Sequence, residues 1–196
     1  MAFIETIADE HADGAVAEMY GRARETSGFV PNMVRAFSLR PEVWAAWEQL
    51  KAAIMGPMDL RRYELATFAS ARRLRSSYCM LAHGKVLADR FFDPPAVREI
   101  ALDHDSPGLD ETDLAVMDFA EKVAGDAGQI TEADMQRLRD LGLDDRDIFD
   151  VAAAAALRSF FSKMLDSLGA LPDADYEKLD PGMREALTIG RPIEAS

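Results

Sequence analysis

Helical periodicity constrains the fold of this chain more than any other feature of its sequence. Apolar residues recur at spacings of three and four from one end to the other, and runs in which apolar and polar residues alternate are missing. In the segment from residue 13 to 26, for example, Val16, Met19, Tyr20 and Ala23 lie on one helical face. Because alternation is typical of half-buried strands and three-and-four spacing of amphipathic helices, the sequence predicts an all-α protein.

Start and stop signals divide this pattern into separate helices. Pro31, Pro41 and Asp59 stand where helices begin, since proline fits a first helical turn and aspartate can cap free N–H groups. The run DHDSPGLD at 103–110 is rich in turn-forming residues and predicts a loop. The predicted helices span about residues 13–26, a short stretch from 31, then 41–55, 60–74, 78–90, 93–102, 111–123, 131–141 and 145–168, with a weaker helix at 181–187.

The length of 196 residues suits one domain built around one hydrophobic core. We predict a single helical domain over residues 1–170, because the helical pattern weakens after Gly169. Residues 171–196 are predicted to form a C-terminal extension that packs on this domain or on a neighbouring subunit. Five consecutive alanines at 152–156 predict a close approach between the last long helix and another helix.

The charge of the chain excludes several classes of partner. A net charge of −13 repels phosphate backbones and anionic lipids, so neither nucleic acid nor a membrane surface is an expected partner. The longest stretches without Asp, Glu, Lys or Arg are nine residues, about half of the ~18 needed to span a bilayer. The first ten residues lack the basic start of a secretory signal, and a single cysteine excludes an intrachain disulfide. We therefore expect a cytoplasmic protein.

The stretch RSSYCMLAHG holds this single cysteine in a setting that favours thiol chemistry. If Ser76 or Ser77 caps the helix, Cys79 lies in the first turn, where free N–H groups and the helix dipole stabilise a thiolate. His83 follows one turn later on the same face, so its imidazole can take or share the thiol proton. The sequence thus predicts a nucleophile with a base beside it.

Glu64 is the predicted partner of His83. It lies within the apolar segment YELATFASA, one helix earlier, where a carboxylate without a partner would be costly. A carboxylate on one ring nitrogen of a histidine fixes its tautomer and supports its role as a base. These residues together predict a relay from Glu64 through His83 to Cys79.

Other interpretations of the same residues stay open. A single cysteine on a helical face is often a buried, unreactive residue, and His83 can equally be a satisfied core histidine. Cys79, His83 and Glu64 also have the atoms for a zinc site with three protein ligands and a water. Because cysteine–histidine pairs at this spacing need nothing but packing, we predict no metal and no cofactor.

The frame of Glu64, eleven further residues and SSYCMLAHG resembles the alkylhydroperoxidase D-like (carboxymuconolactone decarboxylase-like) family. The signature of that family is a glutamate, a Cys-x-x-Cys pair and a histidine after the second cysteine. The stretches GFVPNMVRAFSLRPEVWAAW, DETDLAVMDFAEKV and ITEADMQRLRDLGLDDRDIFDVAAAAA are similar to the peroxidase-related branch of the family. The resemblance covers roughly residues 1–170.

This resemblance implies an antiparallel helical bundle that assembles into homo-oligomers, with the thiol site between helices. It also implies thiol-dependent reduction of hydroperoxides, with catalytic positions at Cys79, His83, Glu64 and Ser76. Ser76 stands where the family has its first cysteine, and a serine cannot resolve a sulfenic acid by forming a disulfide.

The predicted function is therefore that of a one-cysteine, peroxiredoxin-type antioxidant enzyme that reduces a small hydroperoxide and is reduced by an external thiol. Ser159 and Ser162 stand where the resemblance leads us to expect asparagines, which alters the polarity of the pocket. Two alternatives stay open. One is a lyase or isomerase of the carboxymuconolactone decarboxylase type, in which His83 or Glu64 is the base and Cys79 is incidental. The other is a family member whose catalysis is lost or changed.

Overall fold

The structure is a computed structural model that describes residues 2–103 and 108–195. All regular structure in these residues is helical, which confirms the predicted all-α class. Short 3-10 turns at Asp9–His11, Ala127–Gln129 and Ala174–Lys178 join or flank the longer helices. The α-helices are α1 (Gly14–Ser27), α2 (Asn32–Arg35), α3 (Pro41–Met55), α4 (Leu60–Arg73), α5 (Ser77–Arg90), α6 (Pro94–Leu102), α7 (Glu111–Asp126), α8 (Glu132–Asp140), α9 (Asp145–Leu168) and α10 (Pro181–Leu187).

The helix boundaries follow the predicted signals. Pro41 is the first residue of α3, and the side chain of Asp59 caps α4 by accepting a hydrogen bond from the Arg62 N–H at 2.9 Å. The loop predicted at 103–110 falls largely on residues 104–107, which lie outside the described residues. Local capping chemistry therefore accounts for where most helices begin.

Helix α4 lies at the centre of the bundle. Every residue from Tyr63 to Ala71 is buried, because α7, α5 and α9 cover different faces of this helix. Small and apolar residues around the whole circumference make such burial favourable. Glu64 is the exception in this segment, and its carboxylate is therefore held inside the protein.

An aromatic cluster joins α3 to α9. Trp47 stacks on Phe161 with ring centroids 4.2 Å apart, and Phe37 stacks on the same ring at 5.7 Å. Trp44 packs beside Trp47 at 5.1 Å. Aromatic pairs of this kind contribute about 0.5–1.5 kcal/mol each beyond the burial of their area. The cluster fixes the position of α9 relative to α3.

Helix α9 is the longest in the structure, at 24 residues. Ala154 and Ala155 from the alanine run are fully buried where α9 meets α4 and α7, whereas Ala156 is exposed. Side chains this small let helix backbones approach closely. Across residues 2–103 and 108–195, no helix is both long and apolar enough to cross a bilayer.

The C-terminal extension packs on the helical domain. In α10, Met183 and Leu187 are buried at the contact with α6 and α5. Leu187 reaches so near to α5 that a Cβ added at Gly84 would lie 2.5 Å from its Cδ1 atom. The Gly190 N–H then donates to the Ser77 hydroxyl at 2.7 Å. A domain boundary at residue 170 stays a prediction.

Candidate active site

Cys79 lies in the first turn of α5, as its position after the paired serines predicted. Ser76 is the N-cap residue, and its carbonyl accepts a hydrogen bond from the Met80 N–H at 2.9 Å, although its side chain caps no N–H group. The Cys79 side chain is buried, with 1% of the residue exposed. The sulfur is thus enclosed by the bundle near the positive end of a helix dipole.

Two side chains of α9 donate hydrogen bonds to the Cys79 sulfur. The Ser162 hydroxyl donates at 3.1 Å, and a terminal nitrogen of Arg158 donates at 3.4 Å. These residues are four positions apart on α9, so both lie on the face turned towards α5. The Ser159 hydroxyl instead donates to the Ala155 carbonyl within α9. Of the two serines that the sequence analysis singled out in α9, only Ser162 contacts the thiol.

Arg158 brings a buried positive charge to the site. The residue is 4% exposed, and no carboxylate forms a salt bridge with it among the described residues. Burial opposes the charged form, but Cys79, Tyr63 and Glu64 outweigh it and raise the pKa of Arg158. Burying a charge is costly, and the nearby Glu64 carboxylate offsets part of that cost for the guanidinium. The arrangement places a cation and a hydroxyl donor within hydrogen-bonding distance of the Cys79 sulfur.

His83 and Glu64 form the pair that the sequence predicted. Their Nδ1 and Oε2 atoms are 2.6 Å apart, and both side chains are buried. The Thr67 oxygen also lies 3.1 Å from Nδ1, but its hydroxyl proton is engaged with the Tyr63 carbonyl at 2.8 Å. This network assigns the proton of the imidazole to Nδ1, from which it is donated to Glu64.

The second ring nitrogen of His83 is then free to accept a proton. Burial lowers the pKa of His83, and the charge of Arg158 lowers it further, while Glu64 opposes both. The imidazole is consequently neutral near pH 7, where a base must be able to accept a proton.

Cys79 and His83 use separate hydrogen-bond partners. The thiol is bound from α9, the imidazole is bound from α4, and no hydrogen bond joins the two side chains in the described structure. Both nevertheless lie in α5 four residues apart, on one face of the helix. The predicted transfer of a proton between them, and a catalytic role for Ser76, stay predictions.

Several buried polar atoms near the thiol have no hydrogen-bond partner among the described residues. They are the Tyr63 hydroxyl, the Arg158 Nε, the Trp47 Nε1 and the Ser76 hydroxyl. The Tyr63 hydroxyl lies close enough to Arg158 to sense its charge, although burial still raises the pKa of Tyr63. Burial raises the pKa of Asp166, and the nearby Ser76 hydroxyl opposes this without meeting hydrogen-bond geometry.

Arg158, Tyr63 and Thr67 are the site residues that sequence reasoning missed. Arg158 follows Cys79 by 79 positions in the chain, and an arginine in a helix ordinarily lies at the surface. Two of the three residues considered as zinc ligands, Glu64 and His83, bind each other through Oε2 and Nδ1. In the described part of the chain, no three His, Cys, Asp or Glu side chains could hold a metal ion together.

Comparison with known proteins gave matches among solved structures. The sequence matches no protein-family profile and no curated protein. A peroxidase-related protein from Silicibacter sp. TM1040 is 25% identical, with a TM-score of 0.77 over 88% of this chain and 94% of the other. A peroxidase-related alkylhydroperoxidase AhpD core protein from Ralstonia eutropha JMP134 is 24% identical, with a TM-score of 0.75 over 88% of this chain and 96% of the other.

A third similar structure is that of the debrominase Bmp8, in a cysteine-to-alanine variant bound to 2,3,4-tribromopyrrole. It is 12% identical and has a TM-score of 0.73 over 95% of this chain and 98% of the other. These identities establish a shared fold. The structural neighbours are thus alkylhydroperoxidase D-like helical proteins, which confirms the predicted fold type and is consistent with the family that the sequence resembles.

Proposed function

We propose that this alkylhydroperoxidase D-like chain is a one-cysteine peroxidase in which Cys79 reduces a small hydroperoxide. The observation that carries the proposal is the contact between the Cys79 sulfur and the buried guanidinium of Arg158, which has no carboxylate partner among the described residues. A thiolate is the nucleophilic form of cysteine, and a neighbouring arginine stabilises it. The peroxidase-related neighbours support the same class of chemistry at the level of the fold.

The chemical step is a displacement on oxygen. The Cys79 thiolate attacks the terminal oxygen of the hydroperoxide, an S–O bond forms and the O–O bond breaks. Sulfur is oxidised to a sulfenic acid, and the peroxide is reduced to an alcohol once the leaving oxygen gains a proton. Ser162 holds the sulfur in position through its hydrogen bond at 3.1 Å.

His83 and Glu64 manage protons in this proposal. The free ring nitrogen of His83 takes the thiol proton and returns it to the leaving oxygen, while Glu64 fixes the tautomer through Nδ1. The pair thus acts near the sulfur without forming a hydrogen bond to it in the resting state.

An external thiol completes the cycle. The chain has no second cysteine, and Ser76 stands at the position from which the resemblance predicts a resolving thiol. The first external thiol therefore attacks the sulfenic sulfur, releases water and leaves a mixed disulfide. A second one releases Cys79 as a thiolate and leaves as an external disulfide.

The test measures sulfenylation of Cys79 by mass spectrometry with a sulfenic-acid trap after one equivalent of peroxide. We expect modification of Cys79 in the wild type and loss of rapid peroxide consumption in Cys79→Ser, which also measures the background from the ten methionines. Peroxide consumption that is the same in Cys79→Ser and wild type would overturn the proposal.

A second variant tests the contribution of Arg158. We expect Arg158→Met to slow the reaction of Cys79 with peroxide at pH 7 by about tenfold or more, since a charge-assisted hydrogen bond contributes about 1.5–3 kcal/mol. Arg146→Met on the exposed start of α9 is the matched control and should leave the rate unchanged. A full rate in folded Arg158→Met would contradict the proposed role of the guanidinium.

Debromination is the second candidate reaction, because a debrominase shares this fold over 95% of the chain and was solved with its cysteine replaced. Incubation with 2,3,4-tribromopyrrole and an external thiol, followed by measurement of free bromide, tests it directly. Dehalogenation would be favoured over peroxide reduction by two results together. Bromide release would have to depend on Cys79, and the bromopyrrole would have to be consumed faster than peroxide.

A further inference from the structure

Two cations lie close enough to the Cys79–His83 site to act on it, and neither has a carboxylate at salt-bridge distance among the described residues. Arg158 is one, and Lys51 on α3 is the other, since no salt bridge of either side chain occurs among the described residues. The Lys51 ammonium lies 4.8 Å from the centre of the Trp47 ring, and the Arg158 guanidinium lies 5.4 Å from that of Phe161. Because Trp47 and Phe161 stack on each other, the two cations flank one aromatic stack.

The two positive charges act on each other. Burial lowers the pKa of Lys51, and the charge of Arg158 lowers it further, although Glu48 opposes this. The Glu64 carboxylate acts on both cations from inside the bundle, but its Oε2 atom is bound to His83 and lies in no salt bridge with either cation. The Arg158 Nε and the Lys51 ammonium therefore keep hydrogen-bond donors that an anion could use.

Unpartnered hydrogen-bond groups accompany these charges. The Tyr63 hydroxyl and the Arg158 Nε have no partner among the described residues, and the two residues are 2% and 4% exposed. The Trp47 Nε1 is unpartnered as well, in a residue that is 7% exposed. The two N–H groups are donors only, and the Tyr63 hydroxyl can donate. Buried donors are ordinarily satisfied, so this set fits a ligand that supplies acceptor oxygens.

We propose that the site at Cys79 selects small electrophiles that carry a carboxylate, which Arg158, Tyr63 and Lys51 bind while the thiolate attacks the electrophilic atom. The inference rests on the proposed function, because it requires a reactive Cys79. For a peroxidase, the substrate class is then an organic hydroperoxide or peroxy acid with a carboxylate group. The near-complete burial of the sulfur restricts this class to small molecules.

Two alkylating probes of nearly equal size separate charge from reactivity. Iodoacetate transfers a carboxymethyl group to the thiolate and iodoacetamide a carbamidomethyl group. Each releases iodide, but only iodoacetate carries a carboxylate. We would measure both rate constants for Cys79 and for glutathione at the same pH and ionic strength. The ratio of the iodoacetate to the iodoacetamide rate constant reports the preference for an anion and cancels the thiolate fraction.

We expect this ratio to be about tenfold higher for Cys79 than for glutathione, the range of one charge-assisted hydrogen bond. Both Lys51→Gln and Tyr63→Phe should lower the ratio severalfold. Lys163→Gln, which removes the same charge from the exposed side of α9, should leave it unchanged. Added salt should also lower the ratio in the wild type, because it screens the attraction of the anion.

A ratio equal to that of glutathione, or one unaffected by both Lys51→Gln and Tyr63→Phe, would overturn the anion preference while the reactive thiol survives. Absence of alkylation by either probe would instead overturn the proposed function, and the anion preference with it. The two failures are therefore distinguishable in one experiment.

Discussion

At the scale of single residues, the contact between Arg158 and Cys79 is the feature of the site that the sequence did not predict. The sequence supplied two supports for a thiolate, a helix start and a histidine one turn away. The structure adds a third in Arg158, a cation from α9 that donates to the sulfur at 3.4 Å. No local pattern could reveal it, because helical spacing places Arg158 on a face without indicating which helix covers that face.

The pair of His83 and Glu64, by contrast, was accessible to sequence reasoning. A carboxylate inside an apolar helix needs a partner, and the next helix offered an imidazole within reach. The structure places these atoms 2.6 Å apart, although the catalytic roles of the two residues stay predictions. The cost of burying the Glu64 carboxylate thus predicted its partner correctly, because few side chains in the next helix could bind it.

The lowered pKa of His83 predicts a pH dependence of stability. In the unfolded chain its pKa returns to about 6.5, so on acidification the unfolded state binds a proton before the folded state does. The free energy of unfolding should therefore fall as the pH drops below about 6.5, until the lower folded-state pKa is passed. Urea unfolding at pH 7.5, 6.5 and 5.5 measures this loss.

The contribution of His83 is isolated by comparing variants. His83→Gln should reduce the loss of stability between pH 7.5 and 5.5, whereas His11→Gln, at an exposed position, should not. Equal losses in the wild type and His83→Gln would contradict a buried neutral imidazole.

At the scale of helices, the start of α5 determines whether the site could hold two thiols. Ser76 is the N-cap residue and Cys79 lies in the first turn, and both are buried. We expect Ser76→Cys to form an intrachain disulfide with Cys79 under a mild oxidant, if this turn keeps the geometry that the resemblance implies. Thiol titration should show the loss of both free thiols, and mass spectrometry should show a protein mass lower by two hydrogens.

Ser77→Cys is the matched control for this substitution. The Ser77 side chain accepts a hydrogen bond from Gly190, away from the sulfur, so its thiol should remain reduced under the same oxidant. Failure of Ser76→Cys to form the bond, or equal bond formation in both variants, would mean that the turn has diverged from the dithiol arrangement.

A buried carboxylate attaches the C-terminal extension to the bundle. Asp173 accepts hydrogen bonds from the Tyr78 hydroxyl of α5 and from the Asn32 N–H at 2.8 Å, and burial raises the pKa of Asp173. Sequence reasoning missed this contact, because Asp173 lies in an irregular segment where aspartate ordinarily marks a turn.

Asp173→Asn should loosen the extension. The asparagine side chain has one acceptor oxygen and one NH₂ donor, so its NH₂ group would face either the Tyr78 hydroxyl or the Asn32 N–H. One buried donor would then lack an acceptor, at a cost of about 1–3 kcal/mol. Hydrogen exchange of the backbone between residues 171 and 195 should become faster. Asp175→Asn, at an exposed position two residues away, should leave exchange unchanged. Unaltered exchange in Asp173→Asn would exclude this contact as the main attachment.

At the scale of the whole molecule, the arrangement of helices was the most predictable property. The spacing of apolar residues and a few caps gave helices that agree with the structure to within a few residues, since these signals are local. Which helices contact one another depended on the resemblance and on packing. The central place of α4 could nevertheless be inferred from YELATFASA, because such a helix has no face suited to water.

The assembly of the molecule is a prediction that the resemblance implies. Leu50 on α3 and Phe160 on α9 are 53% and 42% exposed, and both line an apolar groove between these helices. We expect sedimentation velocity to detect homo-oligomers at micromolar concentration, and Leu50→Glu to weaken them. Leu102→Glu, at an exposed position on α6, is the control. A monomer at every concentration would contradict the prediction.

The presence of one sulfhydryl per chain has a consequence for stoichiometry. Under the proposed chemistry, Cys79 gives up two electrons to one molecule of hydroperoxide, and the sequence has no second cysteine to reduce the resulting sulfenic acid. Without an external thiol, one equivalent of oxidant per polypeptide would convert Cys79 to the sulfenic acid, and further oxidant would carry it on to a sulfinic acid. In a cell short of small thiols, such a protein would accumulate in its oxidised form and would remove little oxidant.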